Sequence, residues 1–239
     1  EELSYDQNGN ILSLWRYGTF DGDQANLIDV LSYRYNGNQL KGINDYAGNL
    51  SGFSDLTPYA TADEYTYDLN GNMTTDVNKE ILSIKYNFLN LPIEIIYPNS
   101  RSVKYYYRAD GTKLKIVSTT LSGNRTESTT TDYLDGFQYR SGSSYSNTSP
   151  PKLAFFPTAE GYYNTDIDTN PYDAIVTPVY VYNYTDHLGN VRISYFKNPA
   201  TNSIKIDKET NYYPFGLEHT GYNSISSAAP SYKYKYNGK

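Results

Sequence analysis

Cysteine is absent from this chain, which excludes a disulfide framework and any thiolate chemistry. The absence fits a cytosolic protein and equally an exported one that avoids disulfides. With two histidines and no cysteine there is no His/Cys metal cluster. Charge is scarce too, at 19% of residues, with a net charge of −6. Phosphate binding needs clustered Lys and Arg, so nucleic acid is excluded as a partner. No apolar run approaches the ~18 residues that cross a bilayer, so no membrane-spanning segment is predicted. Glu1 to Tyr5 carries no signal peptide. The chain opens almost inside a repeat, and the expectation is a segment of a longer protein whose targeting signal lies elsewhere. Helical periodicity is missing as well: no stretch of eleven or more residues places apolar side chains at a 3.6 spacing with caps. A Gly-rich phosphate loop and a supported Ser-His-Asp set are also wanting.

What the chain has instead is tyrosine, with 29 copies in 239 residues. Tyr favours strands, and it can bury its ring while its hydroxyl finds a partner. The stretch Tyr65-Thr66-Tyr67-Asp68-Leu69-Asn70-Gly71-Asn72-Met73 sets the pattern. Tyr65 and Tyr67 at period two share one face of a strand. Asn70-Gly71 tolerates positive φ at both central positions, which predicts a type I′ hairpin. Tyr5 to Leu12 is an earlier copy and Tyr105 to Leu114 a later one. Tyr stands four residues before Gly in each (Tyr5/Gly9, Tyr67/Gly71, Tyr107/Gly111). At Tyr35-Asn36-Gly37 the turn follows the Tyr directly, so the loop is shorter. Residues 46–64 read as a polar connection, and 141–151 as a low-complexity surface loop. Strands are expected over 81–88, 93–97, 113–121, 126–133, 176–184 and 193–196. The chain is predicted to be all-β, built of repetitive antiparallel hairpins.

The copies at 5–10 and 67–72 resemble the YD repeats of Rhs proteins. Tyr184-Thr185-Asp186-His187-Leu188-Gly189-Asn190-Val191-Arg192 resembles the Asp-His-Leu-Gly-x-x-Arg signature of the Rhs repeat-associated core region. Tyr212-Tyr213-Pro214-Phe215-Gly216 is similar to the element that follows it, and Tyr234 to Lys239 to the next. The resemblance implies a bacterial polymorphic toxin, secreted or on the cell surface. Its repeats would form a spiralling sheet, part of a hollow shell around a C-terminal toxin. It divides the chain into a YD-repeat strip (1–140), a loop-rich insertion (141–175) and the start of the core region (176–239). The family's autoproteolytic centre would lie beyond Lys239, so no catalytic residue, cofactor or metal is expected. The implied partners are the remainder of the same polypeptide, including an enclosed toxin, and a secretion apparatus.

Several residues carry an alternative chemistry. Asp186 and His187 could serve hydrolysis, but the motif holds no nucleophile. The turn reading has Asp186 bonding turn amides, Gly189 at positive φ, and Arg192 paired with a carboxylate. Asp21-Gly22-Asp23 and Asp166-Ile167-Asp168 offer oxygen ligands but lack the spacing of a Ca²⁺ loop. A stripe of exposed Tyr could bind carbohydrate, as in an adhesin. Tyr at period two more often packs a sheet face.

Overall fold

The computed structural model describes residues 1–20, 24–123, 125–144, 147–165, 178–198 and 202–219. The Asp-rich turns at 21–23 and 166–168, the start of the strand expected from 176, and the Tyr234–Lys239 element lie outside them. The chain is all-β, and the strand pairs of known register, all among the described residues, are antiparallel. It divides into two compact units, residues 1–131 with 142–149, and residues 132–141 with 150–239.

In the first unit, β1 (Glu2–Tyr5), β2 (Ile11–Phe20), β3 (Gln24–Asn36) and β4 (Gln39–Asp45) pair in chain order. β5 (Tyr65–Tyr67) and β6 (Met73–Asp76) form a separate hairpin. β7 (Ser83–Tyr86), β8 (Pro92–Ile96), β9 (Ser102–Tyr107) and β10 (Lys113–Ser122) again pair in order. Period-two alternation sends Leu14, Leu31, Ile43 and Tyr65 into one core cluster, with Leu3, Ile11, Tyr33 and Met73 packed against it. Burial pushes the Tyr33 and Tyr65 hydroxyls up to about 12. β11 (Arg125–Leu134) carries the chain into the second unit.

The connection 46–64 contains no strand and is held by buried polar groups. Asp29 is 0% exposed. Its carboxylate accepts from the Phe53 N–H at 2.5 Å and from Arg16 at 2.9 Å. Glu64 accepts from the Ile43 N–H, the Thr57 hydroxyl and the Asn78 amide. Through the Phe53 N–H and the Thr57 hydroxyl these carboxylates anchor a segment that has no ladder of its own.

β12 (Phe137–Ser144) runs through the second unit as far as Ser141, its last three residues and Asn147–Thr148 belonging to the first; β14 (Lys152–Thr158), β15 (Gly161–Asn164), β16 (Val179–Thr185), β17 (Val191–Lys197) and β18 (Ile204–Glu209) follow one another across the second unit's sheet. Tyr162, Val181 and Phe196 are the core of one face. The surface loop expected over 141–151 is in part a hairpin. Residues 141–144 extend β12, and β13 (Asn147–Thr148) pairs back on it. The Ser149 N–H donates to the Gly142 carbonyl, and the Gly142 N–H to the Ser149 hydroxyl. Serine can fill a ladder as well as a loop, so low complexity alone misplaced this segment.

Candidate functional site: a rim of clasped turns

Asp68 shows how the recurring turn is made. The Gly71 N–H donates to the Asp68 carbonyl at 3.1 Å, and the Asp68 N–H to the Asn72 carbonyl at 2.9 Å. The Asp68 carboxylate accepts the N–H of Asn70 and of Asn72, and its other oxygen takes the Asn72 amide. Three donors converge on one carboxylate, so the Asp68 carboxyl is held below the usual range, first by the Asn72 side chain. Only Gly71 is left-handed (φ 83). The type I′ turn expected at Asn70-Gly71 is therefore not formed. The turn spans Asp68 to Gly71, and Gly71 opens a bulge that shifts the register between Thr66 and Tyr67. The carboxylate cradle fixes the loop one residue earlier than the dipeptide suggests. Type I′ geometry occurs instead at Asn99-Ser100 and Asp135-Gly136, where both residues have positive φ.

The same main-chain pattern recurs at 6–10, 87–91, 108–112, 186–190 and 213–217. Asp6 and Asp186 repeat the cradle with the N–H groups of Asn8 and Asn10, and of Leu188 and Asn190. The 87–91 turn escapes a search for Asp-Gly or Asn-Gly. Asn87 supplies the acceptor, to the N–H of Leu89 and Leu91, and Asn90 (φ 57) takes the glycine's place. At 108–112 the device is inverted: Asp110 accepts the Thr112 N–H while Arg108 pairs with Asp110.

Tyrosine joins one turn to the next. The Tyr67 hydroxyl donates to the Leu40 carbonyl at 2.8 Å, Tyr86 to Met73 at 2.6 Å, Tyr107 to Pro92 at 3.0 Å and Tyr212 to Val191 at 3.0 Å. In the last three, the acceptor lies two residues beyond the left-handed corner of the preceding turn. Asparagine adds a second tie. The amides of Asn8 and Asn10 both reach the Asn38 side-chain oxygen, and those of Asn70 and Asn72 reach that of Asn90. Tyr67, Asp68, Asn70 and Gly71 are thus brought together with the hairpins on either side. The sequence named neither the acceptors nor Asn38, Asn87 and Asn90. The Tyr-to-Gly spacing of four, once an Asn is allowed in the Gly position, finds the missed turn.

In the second unit Gly189 takes the left-handed corner (φ 82) of the Asp186 turn, and Arg192 links Asp186 to Asn211 and Tyr212 at the base of the Pro214-Phe215-Gly216 hairpin. One Arg192 nitrogen lies 3.9 Å from Asp186 and another donates to Asn211 at 2.7 Å. The guanidinium sits 5.8 Å from the centre of the Tyr212 ring. Burial pushes the Tyr212 hydroxyl up to about 12. Burial works to raise the Asp186 carboxyl, but the two Asn190 bonds, the Leu188 N–H and the Arg192 charge together outweigh it and the net shift is downward. His187 is exposed, and among the described residues no hydrogen bond joins it to Asp186.

The chain is similar in fold to a crystal structure of TcdB2-TccC3-TEV, with a TM-score of 0.53 and 14% identity. The match covers 100% of this chain and 16% of that one. A crystal structure of TcdB2-TccC3 and a mutant of the Photorhabdus luminescens Tc holotoxin pore align over 100% and 99% of this chain, each at a TM-score of 0.49 with 13% and 14% identity. They are covered over 17% and 15% of their lengths. This chain therefore spans about a sixth of the chains it matches. At such identity the likeness is one of fold. No protein-family model matches the sequence, and no curated protein matches it significantly.

No helix among the described residues is long and apolar enough to cross a membrane. Among them, no group of three or more His, Asp or Glu could hold a metal ion. What the arrangement does chemically is mechanical: four hairpins are tied to the one before through part-buried Tyr hydroxyls, and two pairs of turns share an Asn side-chain oxygen.

Proposed function

We propose that this chain is a non-enzymatic wall segment of an Rhs/YD-repeat shell, from a polymorphic toxin that is secreted or held on the bacterial surface. The observation that carries the reading is the Tyr clasp. At Tyr67, Tyr86, Tyr107 and Tyr212 a hydroxyl reaches a carbonyl behind the preceding turn, so a hairpin clasped in this way is added in one fixed register. The likeness in fold to TcdB2-TccC3-TEV supports it, as do the Asp-His-Leu-Gly and Pro-Phe-Gly elements in their order. The partners are then the rest of the same polypeptide, with a toxin enclosed, and a secretion apparatus. Electron microscopy of the full-length polypeptide tests this: hollow particles are expected, and solid globules would sink the proposal.

One observation favours a second reading, a carbohydrate-binding surface module. Tyr180, Tyr182 and Tyr184 lie at period two on one face of β16 and stay exposed, Tyr180 at 54% and Tyr184 at 64%. Glycan-array binding that disappears on changing all three to Ala would support it. A wild-type chain that binds no glycan removes it.

A further inference from the structure

Asn-Gly pairs stand at 8–9, 36–37 and 70–71 among the described residues. As sequence they are alike, because glycine has no side chain to shield the amide behind the asparagine. The structure separates them. The Gly9 N–H donates to the Asp6 carbonyl at 3.2 Å and the Gly71 N–H to the Asp68 carbonyl at 3.1 Å. Both asparagine side chains are tethered too, the Asn8 amide to Asn38 at 3.1 Å and the Asn70 amide to Asn90 at 3.3 Å.

At 36–37 neither hold exists. Asn36 pairs with Gln39 across a two-residue loop. The Gly37 N–H has no acceptor, and the Asn36 side chain no partner, among the described residues. Both residues are exposed. The space where a Cβ on Gly37 would stand is open for 4 Å around, so water reaches the amide.

The chemistry of such a pair is cyclisation. The glycine amide gives its proton to hydroxide, and its nitrogen attacks the asparagine Cγ. A C–N bond forms there, ammonia leaves, and the ring is a succinimide. Water then opens one of the two ring carbonyls, leaving aspartate or isoaspartate. An N–H already donated to a carbonyl has to be released first, and a tethered side chain has to let go. Breaking two bonds of ordinary net strength slows the step by about tenfold or more.

We propose that Asn36 is a deamidation site of the folded chain, and that its conversion loosens the β3–β4 hairpin. Either product adds a negative charge, and isoaspartate also inserts a methylene into the main chain. The register of a two-residue hairpin is set by its loop and closing pair, and Asn36 is half of that pair. The effect reaches the clasp, because Gln39 adjoins Leu40, whose carbonyl takes the Tyr67 hydroxyl. It also reaches the asparagine tie, because Asn38, the acceptor for Asn8 and Asn10, lies within the loop. The inference holds whatever the chain builds.

The 239-residue chain, held at mildly alkaline pH both folded and in urea, tests this by peptide mass spectrometry. Each site's folded rate is divided by its own rate in urea, which removes the influence of sequence neighbours. The ratio at Asn36 is expected to exceed those at Asn8 and Asn70 by tenfold or more. Ratios that agree within a few-fold, or an Asn36 that stays intact in the folded chain, overturn the site. The isoaspartate product, separated by its added charge, is expected to exchange the Gln39 amide proton at least tenfold faster than the parent. Unchanged exchange there overturns the coupling to the hairpin.

Discussion

Tyr86 donates its hydroxyl to the Met73 carbonyl, thirteen residues upstream. A Tyr→Phe change there keeps the ring and removes only that bond. The expected loss is about 1 kcal/mol, the net worth of an ordinary intramolecular hydrogen bond. It is read from the urea midpoint at unchanged slope. Tyr184 is exposed and serves as the contrast: Tyr184→Phe should shift the midpoint negligibly. The sequence narrows the choice, because the clasping tyrosines 67, 86, 107 and 212 all stand four residues before a left-handed Gly or Asn, although Tyr5 shares the spacing and is exposed. It conceals what they touch, because the acceptor is set by register between hairpins and not by any residue type. A carbonyl has no side chain to recognise.

Hairpins were legible where alternation and a glycine coincide, as at β5–β6 and β16–β17. They were less so where the polar side chain sets the turn. Asn70-Gly71 reads as type I′ until the Asp68 carboxylate is counted, since it draws in two N–H groups and moves the turn back by one residue. The 46–64 connection was readable as strandless, yet its anchors Asp29 and Glu64 were not, because buried carboxylates leave no periodic trace. Close strand approach is equally silent. Gly161 opens β15 opposite Tyr182, and an added Cβ would collide with the Val181 carbonyl. That oxygen is backbone and cannot rotate away. Gly161→Ala is therefore expected to part β15 from β16 at a cost of about 1–3 kcal/mol. Faster hydrogen exchange at Tyr162 and Tyr163 would report it, and unchanged exchange would show that the strands can shift to make room.

Across the whole chain the titrating groups pull in opposite directions, and their number decides the outcome. Asp6, Asp68 and Asp186 are lowered in their cradles, Asp63 by Arg34, Glu94 by Lys85 and Asp110 by Arg108. Each contributes stability that is present above its unfolded value, near 4, and is lost as pH falls through its folded value. Burial raises Asp29, whose contribution runs the other way: it is present at low pH and lost as pH rises through its folded value. Six groups against one predict a chain that weakens below about pH 4. The 87–91 turn shows how to remove one of the six. There Asn87 holds the same two N–H groups without a charge, and Leu91 stands where Asn72 would donate. Asp68→Asn combined with Asn72→Leu rebuilds that pair in the third hairpin. At pH 7 the double variant is expected to fall somewhat below the parent, because Asn72 also donates to Asn90, but between pH 4 and 2.5 it should lose less further stability than the parent does. Asp68→Asn alone sets two amide donors against each other and should be weaker at pH 7. If urea midpoints of the double variant and the parent fall in parallel on acidification, the cradle carboxylate is not what acid attacks, and the ion pairs of Asp63, Glu94 and Asp110 become the groups to change next.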